Sequence, residues 1–140
     1  MTTATETRPG ERAGLPSGAA LVRDFLQTMQ ARDLEGAKRF LAPGFVMNFP
    51  GIEGLTTLEQ LVERSKGRYR EVSKVFERFD ECPGADATVV YCFGTLQGTW
   101  LDGSRFEGVR FIDRFEVVDG KFRRQDVWND LAEVKTPANR

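Results

Sequence analysis

The sequence predicts an α+β fold in which helices pack on one face of a curved antiparallel sheet. Two observations indicate this class. Apolar residues recur at helical spacing in the first half of the chain, and long stretches alternate at period two in the second half. Asp119-Gly120 and Asp102-Gly103 separate those stretches as turns do in a meander. With 140 residues and 40% hydrophobic content, the chain has room for one domain and its core.

Two helices open the predicted domain. The first is expected from Gly18 to Ala31, and its single apolar stripe consists of Leu21, Val22, Phe25, Leu26 and Met29. The second is expected from Leu34 to Leu41, with Asp33 as its N-cap. Ala42-Pro43-Gly44 then stops the helix.

A short strand and a third helix follow. Phe45 to Phe49 alternates as a strand does and is closed by Pro50-Gly51. Thr56 and Thr57 both offer capping boxes for a helix that ends near Gly67.

Four strands make up the rest of the domain, expected at Lys74 to Glu81, Thr88 to Trp100, Arg105 to Val118 and Lys121 to Asp130. Asp102-Gly103 favours a two-residue type I′ hairpin between the two long strands. In that register Trp100 faces Arg105 and, further out, Cys92 faces Asp113.

Asp113 is the residue on which the functional prediction depends. It lies on the apolar face of its strand with Val109, Phe111, Phe115 and Val117. A carboxylate in such surroundings loses its hydration, which raises its pKa unless donors or a cation reach it. Asp113 is therefore either a structural carboxyl group held by hydrogen bonds or a catalytic acid.

Two features near Asp113 leave alternatives open. Gly94 and Gly98 either leave empty volume opposite Phe111 and Glu107 or mark bulges that curve the sheet. In the last strand neither face is plainly apolar, so periodicity does not decide which face looks into the core. Such a strand suits a sheet with a pocket on one side and a partner subunit on the other.

Composition excludes several classes of function. Twenty basic and 21 acidic residues give a net charge of −1, which argues against nucleic acid or a membrane surface as partner. Histidine is absent, which excludes histidine-based catalytic dyads and His-ligated zinc. Cys82 and Cys92 are expected as free thiols in a reducing cytoplasm. Residues 1–17 are expected to form a disordered leader without a signal peptide, 18–134 a single domain, and 135–140 a flexible tail.

Several segments resemble the SnoaL-like branch of the nuclear-transport-factor-2-like superfamily: R-D-F-L-Q-T-M-Q-A-R-D-L-E-G-A-K-R-F-L, F-V-M-N-F-P-G, F-I-D-R-F-E-V-V-D-G-K and V-W-N-D. The resemblance covers roughly Leu21 to Glu133. It implies a cone-shaped curved sheet with the three helices on its concave face, and a homodimer formed through the outer sheet face. The superfamily includes ketosteroid isomerases, polyketide cyclases, epoxide hydrolases, dehydratases and non-catalytic members.

The resemblance carries catalytic chemistry over only in part. Ile112-Asp113-Arg114-Phe115 matches the I-D-x-F segment of ketosteroid isomerases, whose Asp donates a hydrogen bond to the substrate oxyanion. In those enzymes an apolar site holds the Asp protonated, with a pKa above ~9. Their oxyanion Tyr falls at Phe25 here and their general-base Asp at Phe49. Asn48-Phe49-Pro50 resembles the N-x-P segment of epoxide hydrolases, but the last-strand Asp of that branch falls near Val127.

The same alignment turns Gln125, Val127 and Asn129 toward the cavity and leaves Phe122 and Trp128 for the outer face. The expected apolar pocket suits a small flat or polycyclic molecule, and its other lining residues are Phe25, Met29, Asn48, Phe49, Val90, Cys92, Phe111 and Phe115.

These residues suggest a cofactor-free enzyme for cyclisation or isomerisation of a carbonyl compound. Asp113 would be the acid or proton shuttle, with Gln125 and Asn129 orienting the substrate. The rival prediction is a non-catalytic dimer that binds or senses an apolar ligand.

Overall fold

The computed structural model describes residues 17–135, so most of the predicted leader and tail lies outside the described residues. Its elements are, in chain order, α1 (Gly18–Gln30), α2 (Leu34–Lys38), β1 (Leu41–Phe49), β2 (Ile52–Leu55), α3 (Leu58–Lys66), β3 (Tyr69–Cys82), β4 (Thr88–Trp100), β5 (Arg105–Val118), β6 (Lys121–Asn129) and α4 (Leu131–Val134).

All six strands form one curved, open sheet in the order β2-β1-β6-β5-β4-β3. Every pair is antiparallel except β1 with β6, which is parallel. The predicted α+β class is confirmed. Among residues 17–135, no helix is long and apolar enough to cross a membrane.

Helix α1 covers one face of the sheet, which we call the inner face; the opposite one is the outer face. The Ser17 side chain accepts a hydrogen bond from the Ala20 amide and begins the helix. All five residues of the predicted apolar stripe are buried. The Glu81 carboxylate accepts a hydrogen bond from the Ala19 amide at 2.8 Å and ties the start of α1 to β3.

The two long central strands have the predicted bounds, and their central register is confirmed, with Cys92 opposite Asp113. The type I′ turn is wrong. The Trp100 amide donates to the Ser104 carbonyl, which closes a three-residue loop, and Gly103 takes a φ of +93°. The loop shifts the register by one residue, and a bulge in β5 at Gly108, with φ +70°, shifts it back.

Gly94 and Gly98 border bulges and leave no empty volume. A Cβ at Gly94 would lie 2.9 Å from the Phe111 ring and closer still to the Val75 carbonyl oxygen. At Gly98 the Phe106 ring and the β3 backbone fill the same space. Glycine therefore allows β3 to approach β4 closely.

Several predicted boundaries are wrong. Helix α2 ends at Lys38 because the Phe40 carbonyl accepts a hydrogen bond from the Phe122 amide, and the chain enters β1 at Leu41. Strand β3 begins at Tyr69, five residues before its predicted start. The sequence analysis did not anticipate β2 and α4. Both are short and gain their support from neighbouring elements.

The faces of β6 are those predicted except at Phe122. Gln125, Val127 and Asn129 pair with Phe115, Asp113 and Phe111 and share their face, as expected. Phe122 is 1% exposed in the core rather than on the outer face. The register slips by one residue at Arg123, which turns Phe122 to the same face as Gln125. Trp128 lies on the outer face and is 53% exposed.

Candidate functional site

The carboxyl group of Asp113 is enclosed in the middle of the inner face. Cys92 of β4 and Val127 of β6 lie directly beside it on the neighbouring strands. Phe111 and Phe115 precede and follow it on the same face of β5. Asp113 is 1% exposed, so its environment is set by protein atoms rather than water.

Neither oxygen of this carboxyl has a hydrogen-bond partner among the described residues. Burial raises the pKa of Asp113, and the positive charge of Lys74 opposes that shift with a smaller effect. The group is thus biased toward its protonated form, in which it can donate a hydrogen bond or a proton. A purely structural role for Asp113 requires hydrogen-bond donors to these oxygens, and the described residues supply none.

Lys74 is the functional candidate that sequence analysis missed. Its Nζ lies 3.9 Å from Asp113 Oδ2 and 5.0 Å from the centre of the Phe111 ring. The predicted β3 started at Lys74 and left out Val72, so the alternation of Val72, Lys74 and Phe76 on one face was not recognised. A lysine between two apolar residues at period two is the signal that could have identified it.

Gln125 is a second buried polar group without a partner. It is 3% exposed, and its Oε1 accepts no hydrogen bond from any described residue. Because Asp113 faces Val127, Gln125 is its diagonal neighbour, at a Cβ separation of roughly 7 Å. Asn129 differs, since its Oδ1 accepts a hydrogen bond from the Leu131 amide at 3.1 Å at the start of α4.

Cys92 faces Asp113 but is not a nucleophile at neutral pH. Burial, and to a smaller extent the charge of Asp113, raises the pKa of its thiol to about 12. Thiolate, not thiol, is the reactive species. Cys92 therefore contributes an apolar wall. Cys82 is exposed, and both cysteines are free thiols as expected.

Most of the predicted aromatic lining packs into the core. The Phe25 ring contacts those of Phe115 and Phe122 with centroids 5.9 and 5.2 Å apart, and Phe115 lies 4.7 Å from Phe122. Met29 and Val90 are also buried. These side chains belong to the hydrophobic core on the inner face.

Asn48 lies on the outer face and does not converge with Asp113. Its Nδ2 donates to Asp126 Oδ1 at 2.9 Å, and its Oδ1 accepts from the Gly54 amide at 2.8 Å. Burial raises the pKa of Asp126, but hydrogen bonds from Arg124 and Asn48 outweigh it and hold that pKa below its usual value. Arg114 also forms an ion pair with Asp126, at 3.2 Å, within the chain.

A cavity of about 800 Å³ opens on the outer face, and neither Asp113 nor Gln125 lines it. Phe93, Ile112 and Trp128 contribute its apolar surface. Five residues that were predicted to bind substrate also border it, namely Asn48, Phe49, Phe111, Val127 and Asn129. The outer cavity and the enclosed polar atoms of the inner face are therefore two candidate sites, and Phe111 and Val127 border both.

Comparison with known proteins identifies the relatives of the chain. The family model of the SnoaL-like domain matches residues 22–125. A nuclear-transport-factor-2-like protein of unknown function from Burkholderia pseudomallei is 20% identical, with 82% of this chain and 92% of that chain covered and a TM-score of 0.70.

Two further solved structures share the fold. A Jannaschia protein named as a SnoaL-like polyketide cyclase is 19% identical over 89% of this chain and 93% of its own, with a TM-score of 0.64. TerC, co-crystallised with polyporic acid, is 18% identical over 82% of this chain and 92% of its own, with a TM-score of 0.67. No functionally curated protein matches the chain.

Proposed function

The chain belongs to the SnoaL-like domain family, and on that premise we propose that it is a cofactor-free enzyme for an acid–base step on a small carbonyl compound. The step is a cyclisation or an isomerisation, and Asp113 is its acid. One observation carries the proposal: a fully buried carboxyl group on the inner face whose two oxygens have no partner among the described residues. Perturbed carboxyls of this kind concentrate at functional sites.

The chemistry follows from the protonation state. A protonated Asp113 donates its hydrogen to the substrate carbonyl oxygen as negative charge develops there. By the resemblance to ketosteroid isomerases, Phe25 and Phe49 fall at the positions of their Tyr and second Asp. Asp113 therefore acts as a shuttle, giving a proton to one substrate atom and taking one from another, so that an isomerisation consumes no net proton.

The surroundings of Asp113 favour a flat organic substrate. Phe111 and Phe115 flank the carboxyl, while Gln125 offers an acceptor for a substrate hydroxyl. The polyporic acid co-crystallised with TerC supports a small organic molecule as the ligand class. Because Asn129 Oδ1 accepts from the Leu131 amide at the start of α4, Asn129 orients the substrate through its Nδ2 donors.

The test measures how fast the protein catalyses deuterium exchange from D₂O into a panel of aromatic ketones and 1,3-dicarbonyl compounds. NMR monitors the exchange at the carbon next to the carbonyl. Asp113→Asn should lower the exchange rate of an accepted compound by about 10²- to 10⁴-fold. Asp24→Asn, an exposed change on α1, is the matched control and should leave the rate unchanged. Undiminished exchange by Asp113→Asn would remove Asp113 from the mechanism.

A second function, non-catalytic binding of an apolar ligand, is favoured by the outer cavity, which Phe93, Ile112 and Trp128 line and Asp113 does not. Saturable binding of panel compounds without any exchange would favour it over the enzyme.

We also propose a homodimer through the outer face, because Trp128 and Val75 are exposed there, at 53% and 44%. A reducing cytoplasm as compartment belongs to the same proposal, since Cys82 is exposed and unpaired. Trp128→Arg should convert a dimer into a monomer in sedimentation velocity, whereas the exposed change Leu101→Arg at the β4–β5 turn should not. A wild-type protein that sediments as a monomer would contradict the proposal.

A further inference from the structure

We infer that Lys74 is a second binding residue of the inner site, and that its ammonium group holds an anionic oxygen of the bound molecule beside Asp113. The site would thereby select organic anions, such as phenolates and enolates, over the corresponding neutral molecules. The inference rests on the proposed function in one respect, namely that the inner face binds a small molecule.

The position of Lys74 carries the argument. Its Nζ lies 3.9 Å from Asp113 Oδ2, which is beyond hydrogen-bond reach, and 5.0 Å from the centre of the Phe111 ring. The side chain is 24% exposed. Lysines at a sheet edge usually extend their ammonium into water. Lys74 instead directs it along the inner face, toward the enclosed carboxyl.

The backbone of Lys74 is held in place. Its amide donates a hydrogen bond to Gln30 Oε1 at 3.1 Å, where α1 ends. The side chain therefore starts from a fixed point at the edge of the sheet and reaches Asp113 across Phe111. This places Lys74 between solvent and the enclosed carboxyl.

The surrounding charges leave room for an anion. From α1, Arg23 faces the same region, with its guanidinium 5.0 Å from the centre of the Phe79 ring. From β3, the Glu81 carboxylate is occupied by the Ala19 amide. When Asp113 is protonated, the ammonium of Lys74 therefore has no anion in contact with it among these groups. A bound oxyanion would supply the missing charge.

The polar atoms also suggest the arrangement of the ligand. Lys74 offers a positive donor, Asp113 a proton, and Gln125 an acceptor that no described donor reaches. A flat molecule with an ionised oxygen at one position and a hydroxyl nearby would satisfy all three. A ligand without an ionised oxygen would leave the ammonium uncompensated.

The test uses 4-nitrophenol, whose ionised and neutral forms differ in absorbance, and 4-nitroanisole as a probe of the same shape that cannot ionise. Lys74→Met should weaken binding of 4-nitrophenolate by about ten- to hundredfold and leave 4-nitroanisole binding unchanged. Lys74→Arg should restore most of the preference for the anion. Lys66→Met, which removes an exposed lysine paired with Glu63, is the control and should behave as wild type.

Equal phenolate affinity in the wild type and Lys74→Met would overturn the inference. So would a parallel loss of 4-nitroanisole binding, or a wild type that binds no phenolate. Thermal unfolding followed by circular dichroism confirms that each variant is folded.

Asp113→Asn separates this inference from the proposed function. It should lower the rate of exchange into ketones by about the same 10²- to 10⁴-fold while keeping a preference for the phenolate that depends on Lys74. If exchange survives in Asp113→Asn, the proposed function fails and the anion preference stands. If wild type exchanges ketones but shows no anion preference, the inference fails alone.

Discussion

The two faces of the sheet each hold a buried aspartate, and the two carboxyl groups differ in their partners. Asp113 on the inner face is 1% exposed and Asp126 on the outer face 8%. Asp126 receives hydrogen bonds from Asn48 and Arg124, both at 2.9 Å, and its pKa is lowered. Asp113 receives none from the described residues, and its pKa is raised. Partners rather than burial therefore decide whether a buried carboxyl is a structural anion or an available acid.

Packing shows the same contrast. The inner face is mostly apolar apart from Asp113, Gln125 and Lys74, and in it Phe115 contacts Phe25 and Phe122. The outer face carries a row of charges, in which Glu116 pairs with Arg114 and Arg123, both at 2.8 Å. Pairs of this kind that are partly exposed contribute under ~1 kcal/mol each. Most of the stabilisation should therefore come from the inner face.

The largest expected effect tests that asymmetry. Phe115→Ala should lower the free energy of unfolding by about 3–5 kcal/mol, because it removes a fully buried ring and leaves a cavity. Ile112→Ala, three residues earlier on the outer face, should cost about 1 kcal/mol. Urea unfolding followed by fluorescence measures both. Similar losses for the two variants would mean that the outer face is as well packed as the inner, as a buried dimer interface would make it.

The next effect is the pH dependence of stability. The pKa of Asp113 in the folded protein is raised above its unfolded value of about 3.9. As pH rises above ~4, the unfolded chain loses a proton that the folded protein keeps, so this group lowers stability until its folded pKa is reached. At pH values above the folded pKa, raising that pKa by one lowers the free energy of unfolding by about 1.4 kcal/mol.

Asp113→Asn removes this dependence. Relative to wild type, the variant should gain stability between pH 4 and pH 7, as measured by urea unfolding at both values. Asp24→Asn should show a constant difference. A constant difference for Asp113→Asn as well would mean that the carboxyl has an ordinary pKa in the fold.

The smallest effect is a difference in reactivity between the two cysteines, which does not involve a change in the free energy of unfolding. At pH 8 the exposed Cys82 should react rapidly with Ellman's reagent. Cys92 is buried and its thiol has a pKa of about 12, so its reaction should be slower than that of Cys82 by a factor of at least about a thousand. Cys82→Ser should abolish the fast phase. Two fast thiols in the native protein would show that the inner face opens readily near Asp113.

Local patterns were sufficient for much of the fold and for part of the site. The period-two alternation of β4 and β5 predicted their bounds. Counting outward from an assumed two-residue turn placed Cys92 opposite Asp113, and that pairing is present although the loop has three residues. The three-residue loop shifts the register by one residue relative to the predicted turn, and the bulge at Gly108 shifts it back by one residue. The register in the centre of the two strands is therefore the predicted one. The apolar face around Asp113 was likewise visible in the sequence, because strand neighbours at i and i+2 share a face.

The sequence by itself determined the α+β class, the buried stripe of α1 and the inward position of Asp113, because each depends on spacing within one element. Only the tertiary structure brought Lys74 beside Asp113 and turned Phe122 into the core. Single-residue register shifts in β3, β5 and β6 exchange the faces of a strand. Their positions depend on contacts between strands distant in the chain, and no local periodicity records those contacts.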